Sequence, residues 1–153
     1  MKIIFLDIDG VLNSSKTIRK AGPRDAGYPE SHIDEAMVGR LNSIIDATGA
    51  FCVLSSSWRV LWPLKEMGEL LRRKGFRGSL IDATGRNSTR GLEIRDWLLT
   101  ANDYQQSNIR FIILDDDSDM EPNMDRLVRT DWDIGLQNEH VKRAIEMLNG
   151  GVV

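Results

Sequence analysis

Asp7 and Asp9 stand one residue apart in "FLDIDGVLN", directly behind an apolar run and ahead of Gly10. A buried carboxylate is costly unless it is paired, hydrogen-bonded or bound to a metal. Two close together also raise each other's pKa. A second acidic cluster, Asp115 to Asp119, follows the run "FIIL" at 111–114, and a hydroxyl cluster, Ser55 to Ser57, follows "FCVL" at 51–54. Oxygen ligands without nearby His or Cys favour a hard cation, and Mg²⁺ is the usual one where phosphate is also bound. His32 and His140 are the only histidines and Cys52 the only cysteine. A His or Cys zinc site and a Ser-His-Asp triad are therefore unsupported. The chain has neither a G-x-x-x-x-G-K-S/T loop nor a G-x-G-x-x-G turn, which argues against an ATP-driven kinase or a nicotinamide enzyme.

The elements that must position these residues are legible in the hydrophobic pattern. "IIFL" (3–6), "FCVL" and "FIIL" are short and do not alternate, as expected of strands buried on both faces of a parallel sheet. "SLIDA" (79–83) and "RLVRT" (126–130) are weaker strand candidates. Between them the period turns helical: Ile33 to Thr48 with Gly49 as a stop, Leu61 to Leu71 with "KG" at 74–75 and Pro63 in its first turn, Ile94 to Ala101, and Val141 to Leu148. Alternating strand and helix predicts an α/β, three-layer Rossmann-like domain with a mainly parallel five-stranded sheet. In such a sheet ligands bind outside the carboxyl ends of the strands. Both carboxylate clusters and the hydroxyl cluster fall on that edge. Residues 13–31 interrupt the alternation with Ser, Gly, Pro and charge, a length of loop that suggests a flap.

Length fits a single domain over residues 1–153. No apolar run approaches the roughly 20 residues of a membrane span, and no signal-type core is present. Together with one cysteine in an apolar run, this is the pattern of a cytoplasmic protein without membrane partners. The net charge is −3, so the surface as a whole does not advertise nucleic-acid binding. Basic residues cluster locally at Lys16, Arg19, Lys20 and Arg24, and at Arg72 to Arg77.

With these residues in view, "DIDGVLN" resembles the first motif of the haloacid dehalogenase superfamily of phosphotransferases. "VLSSS" resembles its second motif at Ser55, and "FIILDDDSD" its acidic fourth motif at Asp115 and Asp116. The combination with "SSSWR" and "RGLEIRDWL" further resembles a small-cap subgroup associated with RNA-repair and polynucleotide phosphatases. The resemblance implies a Mg²⁺-dependent phosphatase in which Asp7 is the nucleophile and Asp9 the general acid and base. It implies metal ligation by Asp7, by the Asp9 carbonyl and by Asp115 and Asp116. Ser55, Ser56, Arg59 and the Ile8 N–H are expected on the substrate phosphate. The superfamily's third motif is commonly a lysine, and no lysine occurs between Lys74 and Lys142. Arg90 is the preferred replacement because it opens a helix facing the site, ahead of Arg86 in a loop and Arg95 beside an apolar stripe.

The expected partner is a phosphorylated substrate, including nucleotides and nucleic-acid ends, because a minimal cap leaves the site open and the basic flap could meet a polyanion. Competing readings are a catalytically inactive binding or regulatory protein of the same fold, a phosphatase of small metabolites or phosphoproteins, and a mutase. Asp9 shares a face with Asp7 if both lie on one strand, since residues two apart point the same way.

Overall fold

The three buried runs form the centre of the sheet. The structure is a computed structural model that describes residues 1–21, 29–105 and 108–150. Strands β1 (Lys2–Leu6), β2 (Phe51–Leu54), β3 (Leu80–Ala83), β4 (Arg110–Asp115) and β5 (Leu127–Arg129) pair in the order β3-β2-β1-β4-β5. All four pairings are parallel. The chain first builds outward from β1 to β3, then returns to add β4 on the other side of β1. The strand order therefore reverses between β1 and β4, and a crevice opens at the carboxyl end of such a switch point.

Helices cover the faces: α1 (Ser15–Ala21), α2 (Glu35–Thr48), α3 (Leu64–Arg73), α4 (Arg90–Gln105) and α5 (Asn138–Leu148). Strand pleating sorts the core by parity. Ile4, Leu6, Cys52, Leu54, Ile112 and Leu114 face the α2, α3 and α5 side, where they join Leu41, Leu70 and Leu148. Ile3, Phe5, Val53 and Ile113 face α4 and pack with Ile94, Trp97 and Leu98. Phe5 meets Trp97 and Phe111 edge-on, with centroids 5.4 and 5.6 Å away. Such aromatic pairs add about 0.5–1.5 kcal/mol beyond buried area.

Capping fixes where the helices begin and end. Asp34 caps α2, accepting from the Ala36 N–H at 2.9 Å. Gly49, in the left-handed region at φ 70°, closes it. Two sequence expectations change. The apolar stripe of α3 begins at Leu61 in the sequence, but the helix starts at Leu64 behind Pro63, whose missing N–H suits a helix start. Leu61 lies outside it and is 81 % exposed. The 13–31 flap is not wholly irregular: it contains α1 and a 3₁₀ turn over Pro29–His32. Arg24 of its basic cluster lies outside the described residues. Among the described residues no helix is long and apolar enough to cross a membrane.

The start of α4 is pressed onto the loop after β4. A Cβ built on Gly91 would stand 2.3 Å from Glu121 O and 2.4 Å from the Met120 carbonyl carbon. The Gly91 N–H donates to Asp119 O at 3.0 Å. Backbone on both sides leaves little room to yield. Gly91→Ala is therefore expected to lower unfolding free energy by about 1–3 kcal/mol, the usual cost of overpacking, as read by urea denaturation. An unchanged midpoint would show that α4 can shift freely on this loop.

Candidate active site

Register carries the acidic residues to one place. Leu6 of β1 pairs with Leu54 and with Leu114, so Asp7, Ser55 and Asp115 leave three adjacent strands at the same level. Parity puts them on the α4 side. The Asp7 N–H donates to Leu114 O at 3.0 Å and the Ser55 N–H to Leu6 O at 2.8 Å, extending the ladder past the last strand residue of β1. One carboxylate oxygen from each of Asp7, Asp115 and Asp116 lies within 4.8 Å of the others. Asp7 and Asp115 are buried and Asp116 is partly so.

Asp9 arrives differently from the expectation. The strand ends at Leu6, so pleating does not set its direction. A turn does: the N–H groups of Val11 and Leu12 both donate to Ile8 O, at 3.1 and 2.9 Å. Gly10 sits at φ +80°, and a Cβ there would stand 2.5 Å from Asp116 Cγ. Glycine is required twice, for backbone angle and for room beside a carboxylate. Asn13 locks the turn, accepting from the Gly10 N–H through Oδ1 and donating from Nδ2 to Asp9 Oδ1, each at 2.9 Å. Trp58 Nε1 donates to the same Asp9 oxygen at 3.2 Å. On the far side, the Thr130 hydroxyl donates to Gly10 O at 2.7 Å.

Among the described residues, the one cation within 4 Å of these carboxylates is Arg90, the first residue of α4. Arg90 Nη1 lies 3.3 Å from Asp115 Oδ2 and 3.6 Å from Asp7 Oδ1, and it also donates to Ser55 O. Its backbone N–H reaches Asp119 Oδ2 at 3.3 Å, which ties the helix start to the acidic loop. Arg90 is thus the arginine of the three at the carboxylates. Arg86 and Arg95 are exposed, and Arg95 pairs with its neighbour Asp96 at 3.0 Å.

Arg59, expected on phosphate, is already engaged. It meets Glu93 Oε2 at 2.5 Å and Ser56 O at 2.9 Å. Glu93 is buried, lies 3.6 Å from Arg90 Nε, and accepts from the Asn87 N–H at 3.2 Å. Glu93 thus bridges two arginines and holds the one nearer the site. The Ile8 N–H, also expected on phosphate, donates to Asp7 Oδ1 at 2.8 Å. Ser56 Oγ accepts from the Trp58 N–H at 3.2 Å and caps the 3₁₀ turn Ser57–Val60. Ser55 Oγ is buried with no hydrogen-bond partner among the described residues. Asp117 and Asp119 shape the loop: the Asp117 N–H donates to Asp115 Oδ1 at 2.9 Å.

The electrostatics follow from crowding. Burial raises the Asp7 pKa above the usual carboxylate range, against the lowering by Arg90, the Ile8 N–H and the Ser56 hydroxyl. Burial, and then the charge of Asp7, raise Asp115 as well. Asp116 is raised chiefly by burial. Burial alone would lower Arg90, but Asp7, Asp115, Glu93 and Asp119 outweigh it and raise it. Three oxygen donors and one guanidinium leave the site short of positive charge. This donor set fits a hard divalent ion, and no softer ligand stands among the three.

Asn13, Trp58 and Glu93 are the site-supporting residues that sequence reasoning missed. Glu93 had a signal, the i, i+3 spacing from Arg90 in "RGLE". Asn13 had one too, four residues after Asp9. Trp58 had none, because its indole crosses between segments 49 residues apart in the chain.

Acidic residues at the switch point of a parallel sheet fit an α/β protein of the haloacid dehalogenase type. Residues 3–141 match the family model described as the HAD domain in Swiss Army Knife RNA repair proteins. The chain belongs to that family. Searches of curated proteins and of solved structures returned no significant match.

If the cluster needs a cation, metal-free protein should suffer as its carboxyls ionise. A carboxyl whose folded pKa is raised binds protons more tightly in the native state, so its contribution falls as pH rises above the unfolded value near 4. Relative to Asp115→Asn, the wild type in chelator should lose thermal stability from about pH 4 upward. Millimolar Mg²⁺ should restore it at neutral pH by mass action. The double variant Asp115→Asn, Asp116→Asn should lose the Mg²⁺ response. Identical melting curves in EDTA and in Mg²⁺ would contradict this.

Proposed function

We propose that the protein is a Mg²⁺-dependent phosphomonoesterase working through an aspartyl-phosphate on Asp7. The observation that carries this reading is the convergence of Asp7, Asp115 and Asp116 within 4.8 Å beside Arg90. A structural role would place buried carboxylates apart or pair each with its own cation. Here one is kept next to two others, an arrangement that suits a nucleophile whose target is also anionic.

The chemistry runs in two steps. An Asp7 oxygen attacks phosphorus and the bond to the leaving oxygen breaks. Asp9 gives its proton to that oxygen, releasing the alcohol. Water then attacks the phosphorus of the acyl phosphate, Asp9 takes its proton, and phosphate leaves with Asp7 restored. Asp9 suits the part because both neighbouring donors, Trp58 Nε1 and Asn13 Nδ2, address its Oδ1. A proton on a neutral Asp9 therefore belongs on Oδ2, with the carboxyl plane held fixed.

Arg90 supplies a fixed positive charge at the transferring group, where preorganised charge contributes most. Glu93 and Arg59 position it. The Ser55 hydroxyl, buried without a partner among the described residues, is a donor that a phosphoryl oxygen would satisfy. Asp7, Asp115 and Asp116 would hold the ion, together with the Asp9 carbonyl, and the ion would neutralise charge between nucleophile and phosphate. Nucleotides and nucleic-acid ends are the substrates this reading favours, from the family's description in RNA repair proteins and the cations on α1.

Asp7→Asn should abolish hydrolysis of an aryl phosphate while keeping the wild-type melting temperature or raising it. Asp9→Asn should slow turnover by about 10²–10⁴-fold. Arg90→Ala should cripple turnover of every phosphomonoester, because the group it meets is common to all of them. A fully active Asp7→Asn protein, or full activity in excess EDTA, would end the proposal.

A further inference from the structure

A cavity of about 360 Å³ opens directly beside Asp9. Its walls come from three separate segments: Ile18 of α1, His32 of the 3₁₀ turn, and Trp58, Leu61 and Trp62 around the start of α3. Two indoles and two aliphatic side chains make it largely apolar. Leu61 is 81 % exposed and its neighbour Val60 54 %, so large apolar side chains are left in water beside this cavity. Uncovered apolar surface next to polar residues marks a binding site more often than a stray residue.

His32 adds the polar feature. It is buried, and its Nε2 has no hydrogen-bond partner among the described residues. An unmet buried polar atom is costly unless a ligand supplies the bond. The His32 carbonyl accepts from Asn13 Nδ2 at 2.9 Å, and the same Asn13 nitrogen holds Asp9. The cavity and the acid thus share one support.

The leaving oxygen must come within hydrogen-bonding reach of Asp9, so the group it carries lies against this cavity. Stacking surface with one buried hydrogen-bonding nitrogen suits a flat heteroaromatic ring with a polar edge. A phenol ring, once its oxygen is at Asp9, has no second polar edge for His32. The helix that supplies Ile18 also exposes Lys16, Arg19 and Lys20, cations that would meet further phosphates of a polynucleotide.

We propose that this cavity receives the terminal nucleoside of the substrate, with its base against the indoles of Trp58 and Trp62 and its polar edge at His32. The assignment rests on the phosphatase reading for the position of the phosphate, but its test does not need turnover. Binding is measured by calorimetry on the catalytically blocked Asp7→Asn protein in Mg²⁺, with nucleoside monophosphates, ribose phosphate and a phosphotyrosine peptide as probes. Base stacking is worth about 1–3 kcal/mol per base. The nucleotide should therefore bind at least about fivefold more tightly than ribose phosphate.

Adding Trp62→Leu or Leu61→Asp should shrink that preference by about fivefold or more. Leu61 is so exposed that its replacement will not unfold the chain. Equal affinity for nucleotide and ribose phosphate would overturn the proposal, as would a preference untouched by either variant. Tighter binding of the phosphotyrosine peptide would overturn it in favour of an aryl pocket. Hydrolysis of aryl phosphate by the wild type is scored separately. Its absence would remove the phosphatase reading while the binding preference still judged the cavity.

Discussion

Mutual repulsion among Asp7, Asp115 and Asp116 is the constraint around which the molecule is arranged. Each loses water on burial, and their oxygens lie within 4.8 Å of one another. Left uncompensated, such a group would protonate or push the loops apart. One guanidinium, Arg90, relieves part of the strain. Much of the remaining architecture serves to keep that guanidinium and the three carboxylates from separating.

The sheet supplies the first restraint. Backbone pairing joins Asp7 to Leu114 and Ser55 to Leu6, so Asp7 cannot retreat from Asp115 without breaking the central ladder. Helix α4 supplies the second. Its first turn is bonded to Asp119 and pressed against Met120 and Glu121 at Gly91. Glu93 and Arg59 then hold the Arg90 side chain from behind. Gly10 allows Asp116 to close over the Asp7–Asp9 turn. These contacts hold the charged groups from behind, and an apolar cavity opens beside Asp9.

Much of this was legible in the sequence, for identifiable reasons. Unalternating apolar runs locate β1, β2 and β4 because both faces of a central parallel strand are buried. Polar residues immediately after each run locate the site because α/β sheets bind ligands there. Arg90 could be chosen over Arg86 and Arg95 from its place at a helix start. What was not legible depends on contacts between distant segments. A pleat argument for Asp9 fails because the strand stops at Leu6 and a turn takes over. The indole of Trp58 and the engagement of Arg59 by Glu93 depend on how loops meet. Leu61 matched a helical period, yet Pro63 starts the helix after it and leaves it at the cavity mouth.

The central claim is that the carboxylate held in this crowd, Asp7, carries the phosphoryl group. It is tested most directly by trapping the acyl phosphate. Protein is acid-quenched during turnover with Mg²⁺ and substrate, reduced with borohydride, digested and read by mass spectrometry. An aspartyl-phosphate is reduced to homoserine, so the account predicts homoserine at position 7 and nowhere else, absent without substrate. Steady turnover with Asp7 left intact, or reduction at another carboxylate, would contradict it.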